Sequence, residues 1–415
     1  SAINQGNPSM AADNAFSFAN IASPKGRQLE QMVADVSASY KYYWLLSLVK
    51  IVSEGKTGFI SNQEMAARMI AAAWYPVVYF RLKFGYSDKL EEKIRLVQKE
   101  CALSDDASYE EIIEAILQSR NSELKSKLSK LTRYVPSRFI GSLFDDQLAI
   151  SKRQYGSAFE GHKDNDVKIF SQEAGNKSQA PYVIEKGGIT LMPDWIQFFL
   201  DYSQMITDST YFKLTQFVQR RNPNVPAVSE KLIRPTERKE TEEFKSARNY
   251  WKRAIKSNEQ VYDIYTKNPF TENALNRLGG LAIDHFVPWR FVLHDRLWNL
   301  VPTFGRPNSS KSDNLPDRDF LDDFCNIQIL GLKANIDWEK PENIEKNKKK
   351  KKADPIMDAY RDLMPNAKSI ADLLKHEAQL REKLQDAVGA LLLQAKIQGF
   401  SKWQSDYISG NDLRL

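Results

Sequence analysis

The sequence predicts a mainly α-helical protein that contains a small embedded α+β module. From residue 28 to residue 141, apolar side chains recur every three to four positions, which is the period of an amphipathic helix. Between Leu281 and Pro316 the pattern changes to two short apolar runs, separated by a long loop and followed by a polar segment. That second pattern predicts strand, loop, strand and short helix. The 415 residues are 42% hydrophobic, which is enough for a sizeable core.

Changes in pattern along the chain divide it into six segments. We predict a flexible N-terminal arm (1–27), a helical domain (28–141), a mixed α/β connecting region (142–218), a basic segment with the embedded module (219–335), a basic linker (336–353) and C-terminal helices (354–415). Within them, Ser61–Glu64 has the form of a capping box and the Gly187–Gly188 pair predicts a hairpin. The leucine stripe of the last helix would pack on the N-terminal helical domain or form a dimer seam, and the sequence leaves both open.

Composition excludes several classes of protein. The two cysteines, Cys101 and Cys325, form neither a disulfide framework nor a metal-ligand pattern, which favours a reducing cytoplasm. No apolar run approaches the ~20 residues of a membrane span, so no membrane partner is expected. A net charge of +6 is a mild bias toward acidic partners.

The positive charge is concentrated between residues 219 and 258. This segment holds eleven basic and five acidic residues, an excess equal to that of the whole chain. Because Arg and Lys supply most phosphate contacts, we predict a DNA-binding surface there, made by Arg220, Arg221, Arg248, Lys252 and Arg253. The alternative is a solvated helix with internal Glu–Arg pairs. The run from Lys346 to Lys352 could also touch a nucleic-acid backbone, although such runs are usually only solvated.

Polar residues stand at regular points in the stretch from Leu281 to Pro316. Asp284 and His285 end the first apolar run, Asn299 lies in the second, and Asn308 precedes Lys311 in the polar segment. Hydrolysis of a phosphodiester needs a base for the attacking water and a cation beside the phosphate. An imidazole with a pKa near ~6.5 suits the first task, and carboxylate and amide oxygens suit Mg²⁺ or Mn²⁺ better than Zn²⁺.

This stretch resembles the HNH, or ββα-metal, endonuclease family, and most closely the HNH domain of the RNA-guided CRISPR effector nucleases. The resemblance implies that His285 is the general base, that Asp284 and Asn308 hold Mg²⁺ or Mn²⁺, and that Asn299 orients the imidazole. Lys311 would neutralise a phosphate or hold the helix. The family often has His where this chain has Asn308, which further favours Mg²⁺ over zinc. We discount His294 and Asp295 as a second catalytic pair because they lie in the variable loop.

The resulting prediction is a helical N-terminal domain with an HNH nuclease domain that hydrolyses DNA by nicking, in bacterial defence against phage or foreign DNA. A helical pattern similar to that of HNH proteins linked to phage defence suggests this role. Two alternatives remain: a DNA-binding module whose HNH fold is inactive, and a nuclease subunit of a larger complex that contains other defence proteins. Asn308 could instead cap a helix, and Asn299 could be a turn residue.

Overall fold

A computed structural model describes residues 15–34, 36–86, 88–173, 179–234, 240–339 and 355–405. The chain forms two compact units: unit 1 comprises residues 1–223 and 228–234, and unit 2 comprises residues 224–227 and 235–415. The predicted fold class is confirmed, because helices predominate and the strands form one three-stranded and one two-stranded sheet. Across the described part of the chain, no helix is long and apolar enough to cross a membrane.

Unit 1 is a bundle of helices with a small antiparallel sheet. Its elements are α1 (Pro24–Met32), α2 (Tyr40–Ser53), β1 (Phe59–Ser61), α3 (Asn62–Trp74), α4 (Lys89–Cys101), α5 (Tyr109–Gln118), α6 (Ser122–Thr132), α7 (Val135–Ile140), α8 (Asp145–Tyr155), α9 (Phe159–Gln172), β2 (Tyr182–Glu185), β3 (Gly188–Leu191), α10 (Pro193–Arg221) and α11 (Val228–Lys231).

The core of unit 1 forms around α2, whose side chains are buried on nearly every face. It packs against α10 and α3. The predicted hairpin is present as β2 and β3, and β1 pairs with β3 to give the order β1-β3-β2. Ser61 caps α3 by accepting a hydrogen bond from the Glu64 backbone N–H. The Glu64 carboxylate pairs with Lys56 and Arg68.

Unit 2 contains the embedded module together with the helices that bury it. Its elements are α12 (Glu242–Ser257), α13 (Glu272–Leu278), β4 (Leu281–His285), α14 (Trp289–Val292), β5 (Leu300–Phe304), α15 (Gly305–Lys311), α16 (Leu321–Ala334), α17 (Pro355–Tyr360), α18 (Ile370–Lys375) and α19 (Glu377–Ile397). The predicted order of strand, loop, strand and short helix is therefore present in β4, β5 and α15.

The β4–β5 pair is held by buried side chains of the surrounding helices. All five residues of β5 are buried, and α12 and α16 both pack against this strand. At the end of the pair, the Leu300 carbonyl accepts hydrogen bonds from the indole N–H of Trp251 (3.2 Å) and the Gln328 amide (2.9 Å). Leu300 is the register partner of His285, so these bonds fix the end of the sheet at which the candidate site begins.

Several expected segments differ from the observed elements. Phe18 is fully buried within the segment expected to be a flexible arm, and α1 begins at Pro24. The expected boundary at residue 219 falls inside α10. Leu380, Leu384 and Val388 of the leucine stripe are buried within unit 2, where α19 packs against α16. The Lys346–Lys352 run lies outside the described residues.

Candidate active site in unit 2

The end of β4 places Asp284 and His285 side by side at the edge of a buried strand pair. Asp284 is opposite Val301 and His285 is opposite Leu300 in the antiparallel register. Both residues are buried, with exposed fractions of 4% and 9%. Because neighbouring residues of a strand project to opposite faces, the two side chains have different hydrogen-bond partners.

Asn299 fixes the start of the loop that follows His285. Its side-chain oxygen accepts the Val287 N–H (2.9 Å) and its amide donates to the Val287 carbonyl (3.0 Å). Its own carbonyl accepts the Phe286 N–H at 2.9 Å. Asn299 is fully buried, and its side-chain bonds go to backbone atoms of the loop. It was expected to orient the imidazole; in the structure these bonds restrain the chain immediately after His285.

The helix α15 starts directly after β5 because the backbone there passes very close to α13. A Cβ at Gly305 would lie 2.4 Å from the Gly279 carbonyl oxygen, so only glycine fits. Since α15 begins at Gly305, Asn308 is its fourth residue and not a helix cap. Asn308 is half-buried and, among the described residues, its side chain has no hydrogen-bond partner.

Asp284 is held in a buried polar cluster behind the sheet edge. The Lys311 Nζ lies 3.1 Å and 3.0 Å from the two carboxylate oxygens and also donates to the His285 carbonyl at 2.8 Å. The Tyr265 hydroxyl donates to the same carboxylate at 2.5 Å. Burial and the neighbouring Asp284 charge raise the pKa of Tyr265 well above its usual value, which keeps this hydroxyl a donor.

The position of Lys311 differs from the predicted phosphate contact. Its side chain is completely buried, with 0% exposed, because the end of α15 packs over β4. The ammonium group therefore ties α15 to the end of β4, which corresponds to the second role expected for it, that of holding the helix. A sequence alone gives no sign of this, since a lysine in a short polar helix is normally solvated.

His285 is bound by Asp295, which was expected to be a residue of the variable loop without a role in the site. The His285 Nε2 lies 2.7 Å from the Asp295 Oδ1. The Phe244 ring stacks on the imidazole, with centroids 5.6 Å apart and an interplanar angle of 19°. His294, the other half of the discounted pair, is a separate group: burial first, then the charges of His285 and Arg296, lower its pKa to about 4.

These groups meet at one cleft of about 540 Å³. Its lining includes Asp284, His285, Asp295 and Asn308, with Glu240 and Asp313 also present. Lys311 is not part of the lining. The predicted base and both predicted metal ligands therefore open onto the same space. Besides Asp284, two further lining carboxylates carry a cationic partner, since Glu240 pairs with Arg248 and Asp313 pairs with Arg290 at 3.0 Å.

The donor set at the cleft fits a hard divalent cation. Asp284 presents a carboxylate and Asn308 an amide without a hydrogen-bond partner among the described residues, and oxygen ligands are those that Mg²⁺ prefers. Lys311 contacts both oxygens of this carboxylate and Tyr265 donates to one of them; Asp284 lines the cleft, whereas Lys311 and Tyr265 do not. Within the described residues, no cluster of three or more His, Cys, Asp or Glu could hold a metal ion.

The residues predicted to bind DNA are divided between the two units. Arg220 and Arg221 end α10 of unit 1, and the Arg221 guanidinium donates to the backbone carbonyls of Phe217 and Ser37. In unit 2, Arg253 donates to the Asn335 side chain at 3.0 Å, while Lys252 is exposed on α12. Only Arg248 is linked to the cleft, through its ion pair with Glu240. Two of the five predicted residues, Arg221 and Arg253, therefore make structural contacts.

Comparison with known proteins identifies the module. The model of the HNH endonuclease family matches residues 263–317, a range that extends from before Tyr265 to just beyond α15 and contains Asp284, His285, Asn299 and Asn308. No curated protein and no solved structure matches the chain. An HNH endonuclease domain implies a nuclease, with nucleic acid as its substrate. The segment from residue 263 to residue 317 is thus similar to an HNH endonuclease domain.

Proposed function

We propose that the chain is a metal-dependent endonuclease that hydrolyses DNA phosphodiester bonds at the unit 2 cleft. The observation that carries the proposal is the convergence of Asp284, His285 and Asn308 on one open space of about 540 Å³ within the matched family segment. Three side chains from the end of a strand and the middle of a short helix reach this space because Gly305 lets α15 start immediately after β5.

In the proposed reaction, His285 takes a proton from a water molecule that attacks the phosphorus atom. Asp284 and Asn308 would hold Mg²⁺ or Mn²⁺, which would supply positive charge beside the scissile phosphate and its leaving oxygen. Lys311 and Tyr265 keep the Asp284 carboxylate in one orientation. Asn299 keeps the loop after His285 in place, so the base and the ligands stay at fixed separations.

The remaining parts of the proposal concern substrate contacts and setting. In unit 2, Arg248 would leave Glu240 to meet a phosphate, and the exposed Lys252 would add a further contact. In unit 1, the exposed Arg220 is proposed as a separate phosphate contact, while Arg221 and Arg253 support the folds of their own units. One HNH site cuts one strand, so we propose nicking. Defence of a bacterial cytoplasm against phage or foreign DNA is proposed from the resemblance alone.

The proposal is tested by incubating supercoiled plasmid with the full chain and Mg²⁺ or Mn²⁺. We expect nicked circles before any linear DNA, and no product with EDTA or with His285→Ala. Equal cutting by His285→Ala would reject the mechanism. A folded wild-type protein that binds plasmid without cutting it would reject the activity and favour an inactive binding module or a subunit that needs a partner.

A further inference from the structure

The His285–Asp295 contact determines which imidazole nitrogen is free to accept a proton. Asp295 Oδ1 lies 2.7 Å from Nε2, and a carboxylate can only accept hydrogen bonds. The proton of a neutral imidazole is therefore on Nε2, and Nδ1 keeps its lone pair. No described residue hydrogen-bonds Nδ1, and the imidazole lines the cleft with its side chain 11% exposed. This leaves Nδ1 as the nitrogen available to a water molecule in the cleft.

Asp295 is itself fixed from two directions. The Thr241 hydroxyl, at the N-terminus of α12, donates to its second oxygen, Oδ2. On the chain, the preceding turn ends with Leu293 in the left-handed conformation (φ 55°), which returns the loop toward His285. The next residue, Arg296, forms ion pairs with Glu243 of α12 and Asp358 of α17. The position of the Asp295 carboxylate is thus set by the turn that ends at Leu293, by the ion pairs of Arg296, and by the Thr241 hydroxyl at the start of α12.

The same end of α12 also fixes the plane of the imidazole. Phe244 lies three residues after Thr241 and stacks on His285 at 5.6 Å between centroids. The Thr241 hydroxyl also caps α12 by accepting the Phe244 N–H at 3.1 Å. Thr241 therefore contacts both groups that position the imidazole: its hydroxyl binds the Asp295 carboxylate, and it accepts the backbone N–H of Phe244, whose ring stacks on His285.

We infer that Asp295 is a positioning residue that keeps His285 in the Nε2–H tautomer, so that Nδ1 is the atom that takes the proton of the attacking water. The inference rests on the proposed function for its catalytic meaning, and on the contacts above for its geometry. Thr241 orients Asp295 in turn. In an unrelated family of hydrolases, an aspartate fixes the tautomer of a catalytic histidine in the same way, and replacing that aspartate by asparagine leaves the histidine in the wrong tautomer.

The tautomer can be measured without any activity assay. We would label histidine with ¹⁵N and record long-range proton–nitrogen spectra of the full chain at a pH where imidazoles are neutral. The sequence has only four histidines, and the spectrum of His285→Gln identifies the signals of interest. We expect a protonated Nε2 and an unprotonated Nδ1 at His285. A protonated Nδ1 in the wild-type chain would overturn the inference, whatever the variants do.

Asp295→Asn separates positioning from simple structural support. Because the Thr241 hydroxyl needs an acceptor, the new amide oxygen should take that bond and the amide NH₂ should face Nε2. The imidazole must then move its proton to Nδ1, and plasmid cutting should fall by about 10²–10⁴-fold in kcat with little change in KM. In the double variant of Asp295→Asn with Thr241→Val, the threonine hydroxyl is absent, so the new asparagine can turn its amide oxygen toward Nε2. Part of the cleavage rate should then be restored. Thr241→Val alone is the matched control.

The outcomes distinguish this inference from the proposed function. If the wild-type chain cuts through His285 but Asp295→Asn keeps the Nε2–H signal and a rate within about threefold of wild type, the inference is overturned while the function stands. If the tautomer moves as expected in Asp295→Asn but no form cuts DNA, the positioning contact is supported and the proposed function fails. A faster rate for the double variant than for Asp295→Asn supports the role of Thr241, and a slower one contradicts it.

Discussion

Replacing Lys311 by methionine tests how the site is held together. The ammonium group is 0% exposed and lies 3.0 Å and 3.1 Å from the two oxygens of Asp284, which is itself only 5% exposed at the side chain. Methionine fills the same space with a flexible apolar chain but leaves the carboxylate without its countercharge. Removing one partner of a buried ion pair costs about 3–5 kcal/mol, so we expect a loss of that size in the free energy of unfolding of unit 2.

The reverse substitution gives the matched control. Asp284→Asn removes the carboxylate and leaves the ammonium buried, and should destabilise unit 2 to a similar extent. Combining Asp284→Asn with Lys311→Met removes both charges. The double variant should be more stable than the sum of the single losses predicts, by about 2–3 kcal/mol, because neither uncompensated charge remains.

Hydrogen–deuterium exchange in increasing urea measures these losses segment by segment. Peptides from β4 and α15 should lose protection at lower urea in each single variant, whereas peptides from α2 in unit 1 serve as an internal reference. A change below about 0.5 kcal/mol for Lys311→Met would mean that the Lys311–Asp284 pair is not buried in solution. Additive losses in the double variant would show that the two groups do not interact.

Three further predictions concern other parts of the chain. A Cβ at Gly331 would lie 2.7 Å from the Trp251 indole, so Gly331→Ala should destabilise unit 2 by about 1–3 kcal/mol in urea unfolding. The control is Gly389→Ala, whose Cβ would lie 4.0 Å from its nearest neighbour and which should be neutral or slightly stabilising. Equal losses of stability in the two variants would contradict the close packing at Gly331. Burial lowers the pKa of Lys231 to about 7. Between that pH and the usual lysine pKa of ~10.4, the folded chain binds fewer protons than the unfolded chain. The free energy of unfolding should therefore rise with pH across this range. The stability gained by Lys231→Met should therefore be about 3 kcal/mol smaller at pH ~9.5 than at pH ~6, and a gain that does not depend on pH would refute the burial of a charge. Lys252→Glu should lower DNA affinity and reduce the slope of log affinity against log salt by about one, and an unchanged slope would remove Lys252 from the contact surface.

The sequence predicts those parts of the site that depend on local order. Strand, loop, strand and helix follow one another between β4 and α15, and Asp284, His285 and Asn308 lie at the ends or middle of these elements, so their convergence could be expected. The helices of unit 1 were predictable for a similar reason, since burial follows the helical period within each one. By contrast, β1 has only three residues and exists through its pairing with β3, far along the chain.

The contacts that the sequence could not reveal are those set by tertiary packing. Asp295 reaches His285 because Leu293 turns the loop and Arg296 anchors it to distant helices, and neither effect has a local pattern. Lys311 is buried although lysine is almost always exposed, because Asp284 offers it a partner inside the fold. Arg253 counted as free positive charge in the sequence but is used in a structural bond.

The most direct measurement compares two histidines of the same loop region in single-turnover cleavage of a labelled DNA duplex with Mg²⁺. His285→Ala should reduce the cleavage rate by at least about 100-fold, and added imidazole should restore part of it. His294→Ala, which removes a half-buried imidazole that packs near Trp298 at 5.2 Å between centroids, should leave the rate within about threefold of wild type. If His285→Ala cuts at the wild-type rate, or if His294→Ala is the variant that loses activity, His285 is not the base.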